Sequence, residues 1–347
     1  MFNLEKILRP NIAALAPYSS ARDEFQGDAA IFLDANENSL GSVGNGTFNR
    51  YPDPHQVELK MQIAKIKGVN PDQIFLGNGS DEAIDLLFRA FCTPGKDNTV
   101  LLPPTYGMYQ VCAEINDIKI QKVNLTPDFQ IDIDAVLAKI NAETKILWIC
   151  SPNNPTGNAI ELKSIEALLA KFEGIVVVDE AYIDFCPEKT LLPRLAEFEN
   201  LVVLQTFSKA WGLANLRLGL AYASPEIISI LSKIKYPYNV NGSTQALASE
   251  ALKQEAQKNK MVDTLMQERA LLLQELPKLA VVKKVYPTDA NFVMIKVEEA
   301  RKIYEYLVAN KIVVRDRSTQ PLCEGCLRIT IGTVEENREL VRLLGAV

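Results

Sequence analysis

Residues 201–221 read LVVLQTFSKAWGLANLRLGLA. The first four are apolar and rich in β-branched residues and end at polar ones, which is typical of a buried parallel strand. The end of such a strand would present Ser208 and Lys209 in the crevice where open α/β sheets bind their ligands. Arg217 precedes a second apolar run, so the three side chains can converge on one anionic group. This stretch alone does not distinguish that arrangement from a solvated loop lysine.

Strands and helices alternate upstream of this stretch. The strand-like runs lie at 100–109, 118–125, 145–157 and 174–182, and the helical patterns lie near 132–140 and 161–172. Such alternation is typical of a mainly parallel sheet flanked by helices. Downstream, a long helical pattern covers 243–279 and precedes two strands, a helix, two more strands and a final amphipathic helix.

The sequence therefore predicts an α/β fold, with a large domain built on a mainly parallel sheet and a smaller α+β domain. The predicted divisions are an N-terminal arm at 1–30, a large domain at 31–280 and a small C-terminal domain at 281–347. The large domain is expected to open with a short strand at 31–34, followed by a turn rich in Asp and Asn.

The composition of the chain excludes some classes of function. The chain has 347 residues, of which 48% are hydrophobic and 23% charged, and a net charge of −6. This balance is ordinary for a globular protein and argues against nucleic acid as a partner, because such binding needs a basic face. No apolar run approaches a membrane span of roughly 20 residues. Charges interrupt the first residues, MFNLEKILRPNI, so no signal peptide is expected and the predicted location is cytoplasmic.

Cysteine and histidine offer little chemistry in this chain. Six cysteines at scattered positions are typical of reduced thiols, although Cys323 and Cys326 form one CxxC pair. One such pair is half a zinc site, so no metal is predicted. The only histidine, His55, lies in a proline-flanked turn, which makes a Ser-His-Asp hydrolase improbable.

A second anion site is predicted within residues 73–92, QIFLGNGSDEAIDLLFRAFC. The pattern is a strand, a glycine-containing turn and an amphipathic helix that begins near Ser80 and Asp81. Free N–H groups and the dipole at a helix N-terminus favour phosphate. The spacing fits neither a Walker loop nor GxGxxG, and a plain capped helix explains the same residues.

Two more strand ends carry polar side chains. The run SPNNPTG at 151–157 presents Asn154, and VVVDEAY at 176–182 presents Asp179 and Tyr182. An acid after four apolar residues is costly to bury alone, so Asp179 is expected to have a cationic or strong-donor partner. A helix cap is the commoner explanation for any single aspartate at this position.

These motifs together resemble the fold-type I aminotransferases, which depend on pyridoxal 5'-phosphate. The resemblance covers essentially the whole chain. Its motifs are LDANEN (33–38), NRYP (49–52), GSDEAIDLL (79–87), PPTYGMY (103–109), SPNNPTG (151–157), VVDEAY (177–182), TFSKAWGLANLRLG (206–219), VRDRS (314–318) and GCLRITIGT (325–333).

The resemblance implies roles for individual residues. Lys209 would bind the cofactor aldehyde and carry the proton, Asp179 would hold the ring nitrogen protonated, and Tyr182 with Asn154 would bond the ring oxygen. Tyr106 would stack on the ring. The phosphate would be held by Ser80, Asp81, Thr206, Ser208 and Arg217, and by Tyr51 of a neighbouring subunit. Substrate contacts would come from Arg328, Arg315, Asn36, Asn154 and, across the homodimer, Tyr18.

The implied reaction is transamination between histidinol phosphate and 2-oxoglutarate, giving imidazole acetol phosphate and glutamate, in histidine biosynthesis. Alternatives in the same subgroup are an aromatic amino-acid aminotransferase and a phosphothreonine decarboxylase. A binding protein without cofactor is disfavoured by the intact Lys209 and Asp179, and a nucleotide-dependent enzyme lacks its fingerprints. Asn215 departs from the family pattern, which usually has glycine before Leu-Arg.

Overall fold

The computed structural model describes residues 2–19, 24 and 31–347 of the chain. Seven strands form the larger sheet, in the order β1-β7-β6-β5-β4-β2-β3. They are β1 (Ile74–Asn78), β2 (Asn98–Leu101), β3 (Lys119–Lys122), β4 (Thr144–Cys150), β5 (Ile175–Asp179), β6 (Leu201–Thr206) and β7 (Leu218–Tyr222). Strands β2 to β6 pair in parallel, and β7 runs antiparallel to both β1 and β6. The predicted mainly parallel sheet is confirmed.

A second sheet has four strands, all paired antiparallel, in the order β10-β11-β9-β8. Its strands are β8 (Val282–Val285), β9 (Phe292–Val297), β10 (Arg315–Asp316) and β11 (Cys326–Thr330). This is the smaller α+β unit expected from the sequence. The division of the chain at residues 280 and 281 stays a prediction.

Helices connect the strands and cover both sheets. Among the elements that the structure describes, helices α1 to α6 are α1 (Leu4–Ile7), α2 (Pro10–Ala13), α3 (Val57–Lys67), α4 (Gly79–Phe91), α5 (Met108–Ile115) and α6 (Ile133–Lys139). The others are α7 (Leu162–Lys171), α8 (Pro225–Ile234), α9 (Gly242–Leu252), α10 (Glu255–Glu275), α11 (Ala300–Ala309) and α12 (Val334–Leu344). Of the helices in the described ranges, none has the length and apolar character that crossing a bilayer requires.

The large sheet is buried on both faces because its central strands are apolar through their middle positions. Val176 and Val178 of β5 pack into the core on one side, and Ile175 and Val177 pack into the core on the other. Continuous apolar strands of this kind occur where helices cover both faces of a sheet. The polar groups of these strands are consequently confined to the strand ends, where the candidate site lies.

Two local predictions differ from the structure. The expected strand at 31–34 is absent, and Ile31 and Leu33 are 75% and 82% exposed. A strand forms only beside another strand, and neither of the two described sheets includes this segment. The single helical pattern at 243–279 is divided between α9 and α10 at Lys253 and Gln254.

The predicted arm at 1–30 is only partly described. Ile7 is buried among side chains of the large sheet, and Arg9 Nη1 donates a 2.8 Å hydrogen bond to the carbonyl of Arg89 on α4. The beginning of the arm therefore packs against the body of the protein, while residues 20–23 and 25–30 lie outside the described residues.

Candidate active site

The ends of β4, β5 and β6 lie next to one another in the sheet and enclose a cavity of about 160 Å³. The cavity is completed by the first turn of α4 and the loop before β7. Its lining brings together Ser80, Asp81, Tyr106, Asn154, Asp179, Tyr182, Thr206, Ser208, Lys209 and Arg217, all of them predicted from the sequence. Gly79, Cys150, Ala181 and Ala214 complete the wall.

The N-terminus of α4 is held close to β7 by two glycines. Gly79 has φ +71°, and its N–H donates a 2.7 Å hydrogen bond to the carbonyl of Arg217. A Cβ at Gly219 would lie 2.0 Å from the Ser80 nitrogen, so only glycine permits this approach. The free N–H groups of the first helical turn consequently face the cavity beside the Arg217 side chain.

Arg217 itself adopts a left-handed conformation, with φ 52°, at the end of a 3₁₀ turn that contains Asn215. Its Nη1 lies 3.4 Å from Ser208 Oγ, and its Nη2 lies 3.6 Å from Asp81 Oδ2. The guanidinium, the Ser208 hydroxyl and the helix N-terminus thus form one cradle for an anion. The exposed Asn215 does not disturb it.

Asp179 is 3% exposed at the end of β5. Its Oδ2 accepts a 2.7 Å hydrogen bond from the Tyr109 hydroxyl, and its Oδ1 accepts a 3.0 Å bond from the Ala181 N–H. Burial raises the pKa of Asp179 to about 6, against the opposing effect of these two bonds. The expected strong-donor partner is therefore a tyrosine that the sequence reasoning did not assign.

Lys209 projects into the cavity, with Nζ 5.5 Å from the centre of the Tyr182 ring. The surrounding protein displaces water from the amine and lowers the pKa of Lys209, and the positive charges of Arg328 and Arg217 lower it further. A lysine with a lowered pKa supplies more of the uncharged amine, which is the form that attacks carbonyl carbons and accepts protons.

The second sheet places Arg328 next to the cavity wall, in contact with Asn154. Arg328 Nη1 donates a 2.5 Å hydrogen bond to Asn154 Oδ1, and its guanidinium lies 5.2 Å from the centre of the Phe292 ring. Arg315 stands opposite Arg328 in the register of β10 and β11. Within the described chain, neither arginine forms an ion pair with the acids nearest in sequence, Asp316 and Glu324.

Three other predicted residues lie in clefts separate from this cavity. Tyr51 and Asn36 line a separate cleft, in which the Tyr51 ring stacks on Tyr238 at 4.4 Å. Tyr18 is 73% exposed in another cleft, near Lys233. The roles assigned to Tyr51 and Tyr18 require a partner subunit, and the roles of all three residues stay predictions.

All six cysteines are buried free thiols, including Cys323 and Cys326. The described residues contain no cluster of His, Cys, Asp and Glu that could hold a metal ion.

The chain is similar to known proteins over nearly its whole length. The family model "aminotransferase class I and II" matches residues 28–344. The histidinol-phosphate aminotransferase of Cytophaga hutchinsonii is 54% identical over 343 residues, which span 99% of this chain and 99% of that protein.

Solved structures share the fold at lower identity. The histidinol-phosphate aminotransferase of Sinorhizobium meliloti, in complex with pyridoxal-5'-phosphate, has a TM-score of 0.80 and 23% identity, over 90% of this chain and 89% of that chain. The L-threonine-O-3-phosphate decarboxylase of Porphyromonas gingivalis has a TM-score of 0.73 and 22% identity, over 86% and 90%. At these identities the similarity extends to the fold alone.

Proposed function

We propose that this chain, which belongs to the class I and II aminotransferases and within them to the histidinol-phosphate aminotransferases, transaminates histidinol phosphate with 2-oxoglutarate. The products are imidazole acetol phosphate and glutamate, and the cofactor is pyridoxal 5'-phosphate. The observation that carries the proposal is the meeting of Lys209 and Asp179 in one cavity that also contains an anion cradle.

The cavity fits this cofactor. A phosphate placed at the N-terminus of α4 would receive the backbone N–H groups of Ser80 and Asp81 and the side chains of Ser208 and Arg217. The Tyr106 hydroxyl is fixed by a 3.1 Å hydrogen bond to Asp81 Oδ1, and this bond places its ring against the cavity. Tyr106 would stack on the pyridine ring, and Asp179 would bond the ring nitrogen.

Pyridoxal phosphate, when bound, supplies an aldehyde that takes up the amino group and a ring that withdraws electrons from the reacting carbon. Asp179 contributes a fixed negative charge that favours a protonated ring nitrogen. The Lys209 amine, with its lowered pKa, accepts the proton from the substrate carbon at Nζ and returns it after the amino group has moved. The Tyr182 hydroxyl and the Asn154 amide, both in the cavity wall, would bond the ring oxygen and orient the ring.

One pocket has to accept two unlike substrates. Glutamate has a carboxylate on the reacting carbon, and histidinol phosphate has a phosphate arm instead. Both are oxyanions that a guanidinium can bind through two N–H groups. We assign Arg328 to this group in each half-reaction because it lies against Asn154 in the cavity wall, and we assign a supporting role to Arg315.

The active unit is proposed to be a cytoplasmic homodimer in which Tyr51 reaches the partner's phosphate and Tyr18 reaches the partner's substrate. Asn36 is proposed to contact substrate as well. Exposed apolar side chains between residues 31 and 48 support a partner surface: Leu40 is 99% and Val43 102% exposed. Apolar groups clustered in this way are typical of a surface that another chain covers. Six free thiols fit a reducing compartment.

The test is to load the purified protein with pyridoxal phosphate and mix it separately with histidinol phosphate, phenylalanine and phosphothreonine. The cofactor absorbance should change fastest with histidinol phosphate and recover when 2-oxoglutarate is added. A faster change with phenylalanine would assign an aromatic aminotransferase. Release of carbon dioxide from phosphothreonine would assign a decarboxylase. A protein that stays colourless with added cofactor would leave only a binding role.

A further inference from the structure

Arg315, Arg317 and Arg328 lie on one face of the second sheet. Arg315 stands opposite Arg328 in the antiparallel register, and the Arg317 N–H donates a 2.9 Å hydrogen bond to the Cys326 carbonyl. Residues opposite each other in an antiparallel pair, and residues two apart on one strand, share a face. On this face Cys326 packs into the core of the large sheet. The Arg317 side chain therefore starts toward the large sheet, as Arg328 does.

Arg317 and Arg328 lack counter-ions within the described chain. The Nε atoms of both are buried without a hydrogen-bond partner. Asp316, the adjacent acid, accepts a 2.9 Å hydrogen bond from the Ser318 N–H and no ion pair from either arginine. Burial lowers the pKa of Arg317, and the charge of Arg315 lowers it further. Holding half-buried cations together, with donors that lack partners, costs free energy. A bound anion would offset this cost.

The position of Arg317 indicates which substrate anion it can bind. Arg328 donates directly to Asn154 in the cavity wall. The Arg317 N–H instead bonds the carbonyl of Cys326, which lies two residues before Arg328 on β11. Burial raises the pKa of Tyr182, and the charges of Arg328 and Arg317 oppose that rise, so both guanidinium groups lie within electrostatic reach of Tyr182, which lines the cavity. Because the Arg317 backbone pairs with Cys326 and not with Arg328, an anion that engages both arginines has to span more of the sheet than one that Arg328 holds alone.

The two substrates differ in this respect. The α-carboxylate of glutamate is attached to the reacting carbon, but the phosphorus of histidinol phosphate lies two atoms farther out and carries about twice the charge. The distal carboxylate of glutamate extends from the other side of the reacting carbon. We infer that Arg317 is a phosphate-specific residue of this site, which binds the phosphate arm of histidinol phosphate beside Arg328 and does not contact glutamate. The inference rests on the proposed function.

The test uses the cofactor-loaded protein and the variant Arg317→Gln. Single-turnover kcat/KM should fall about 10- to 100-fold with histidinol phosphate, the range expected when one charge-assisted contact to phosphate is lost. With histidinol, which lacks the phosphate, and with glutamate, the change should stay within about twofold. Arg317→Lys, which keeps the charge but not the planar fork, should recover part of the loss.

A binding measurement separates this role from activity. Calorimetric titration with inorganic phosphate should show weaker binding to Arg317→Gln than to the unmodified protein. Arg342→Gln is the matched control, because it removes the same charge from an exposed ion pair with Glu339 on α12. It should leave both measurements unchanged.

Equal losses with histidinol and histidinol phosphate would assign Arg317 a structural role and overturn the inference, as would no loss with either. If Arg317→Gln does not fold, Arg317→Lys carries the same comparison. A protein that does not convert histidinol phosphate at all would refute the proposed function instead, and the phosphate titration would then decide the assignment of Arg317.

Discussion

The Tyr109 hydroxyl donates a 2.7 Å hydrogen bond to Asp179 Oδ2, and both groups are buried. Tyr109 is fixed in turn by Trp148, whose ring stacks on it at 4.9 Å. Tyr109 and Trp148 thus fix the orientation of the Asp179 carboxylate, which is proposed to face the cofactor nitrogen. A bond from a neutral donor stabilises the ionised carboxylate without cancelling its charge.

Tyr109→Phe should weaken the binding of pyridoxal phosphate. Losing a hydrogen bond to a charged group costs about 1.5–3 kcal/mol, so the dissociation constant of the cofactor should rise roughly tenfold or more. Titration of the apoprotein, followed by absorbance, measures it. Tyr222→Phe is the control, since the Tyr222 hydroxyl is buried without a partner on β7. Equal affinities for the two variants would mean that Tyr109 serves only packing.

Asp179→Asn should have opposite effects on the apoprotein and on cofactor binding. Burial raises the pKa of Asp179 from 3.8 to about 6 in the folded state. Stability from this group is therefore fully present below about pH 4 and is lost as the pH rises through about 6. An asparagine avoids that loss.

At pH 7 the Asp179→Asn apoprotein should resist urea better than the unmodified apoprotein, by about 1–3 kcal/mol, and the difference should vanish near pH 4. Its cofactor affinity should fall, because a neutral amide no longer favours a protonated ring nitrogen. Urea unfolding at a series of pH values checks the first statement. A variant less stable than the unmodified apoprotein at pH 7 would show that the ionised carboxylate is stabilising.

The sequence predicts the cavity well because its chemistry lies at strand ends. Apolar runs followed by polar residues place Lys209, Asp179 and Asn154 at or just after strand ends. Parallel strands bring such ends to one edge of a sheet. Tyr109 was not assigned because the apolar pattern places it at the end of a strand-like run at 100–109, whereas in the structure β2 ends at Leu101 and Tyr109 lies in the first turn of α5. The contact between Arg328 and Asn154 joins residues 174 positions apart, so only the folded chain reveals it.

Other misses have a different physical origin. The strand expected at 31–34 has an apolar pattern, but a strand also requires a neighbour to pair with. The same segment and Tyr51 present exposed side chains that a partner subunit would cover. The sequence pattern shows that these residues are apolar or aromatic. It does not show whether they contact their own chain or a partner.

Gly219→Ala should disrupt the anion cradle. The new Cβ would lie 2.0 Å from the Ser80 nitrogen, so the first turn of α4 has to move away from β7. Overpacking of this kind costs about 1–3 kcal/mol of stability, and the displaced N–H groups should bind the cofactor phosphate less tightly. Gly107→Ala is the matched control, because a Cβ there meets nothing within 4 Å and φ is −68°. Thermal unfolding and cofactor titration of both variants decide the matter, and equal behaviour would contradict the steric account.

Mixed dimers test the sharing of sites between subunits. Tyr51→Phe and Lys209→Ala subunits should each be impaired at limiting cofactor, but a hybrid dimer contains one site with both residues intact. After subunit exchange the mixture should regain about one quarter of the unmodified activity, because half of the dimers are hybrids with one good site. No recovery after exchange has been confirmed by mass would place Tyr51 outside the partner's site.

Arg328→Lys should impair both half-reactions. Arg328 donates to Asn154 Oδ1 and is proposed to grip the α-carboxylate of glutamate and the phosphate of histidinol phosphate. Lysine keeps the charge but presents a single ammonium, so it cannot bind an oxyanion and the Asn154 amide in the same plane.

Loss of a bidentate, charge-assisted contact should lower single-turnover kcat/KM about 10- to 100-fold with each substrate. Arg301→Lys on α11, an exposed arginine paired with Glu305, controls for the exchange itself and should behave as the unmodified protein does. Arg328→Lys kinetics with glutamate and with histidinol phosphate, measured separately, provide the comparison. A defect confined to glutamate would assign the phosphate to the other arginines of the second sheet. A defect confined to histidinol phosphate would mean that the α-carboxylate is bound elsewhere in the cavity.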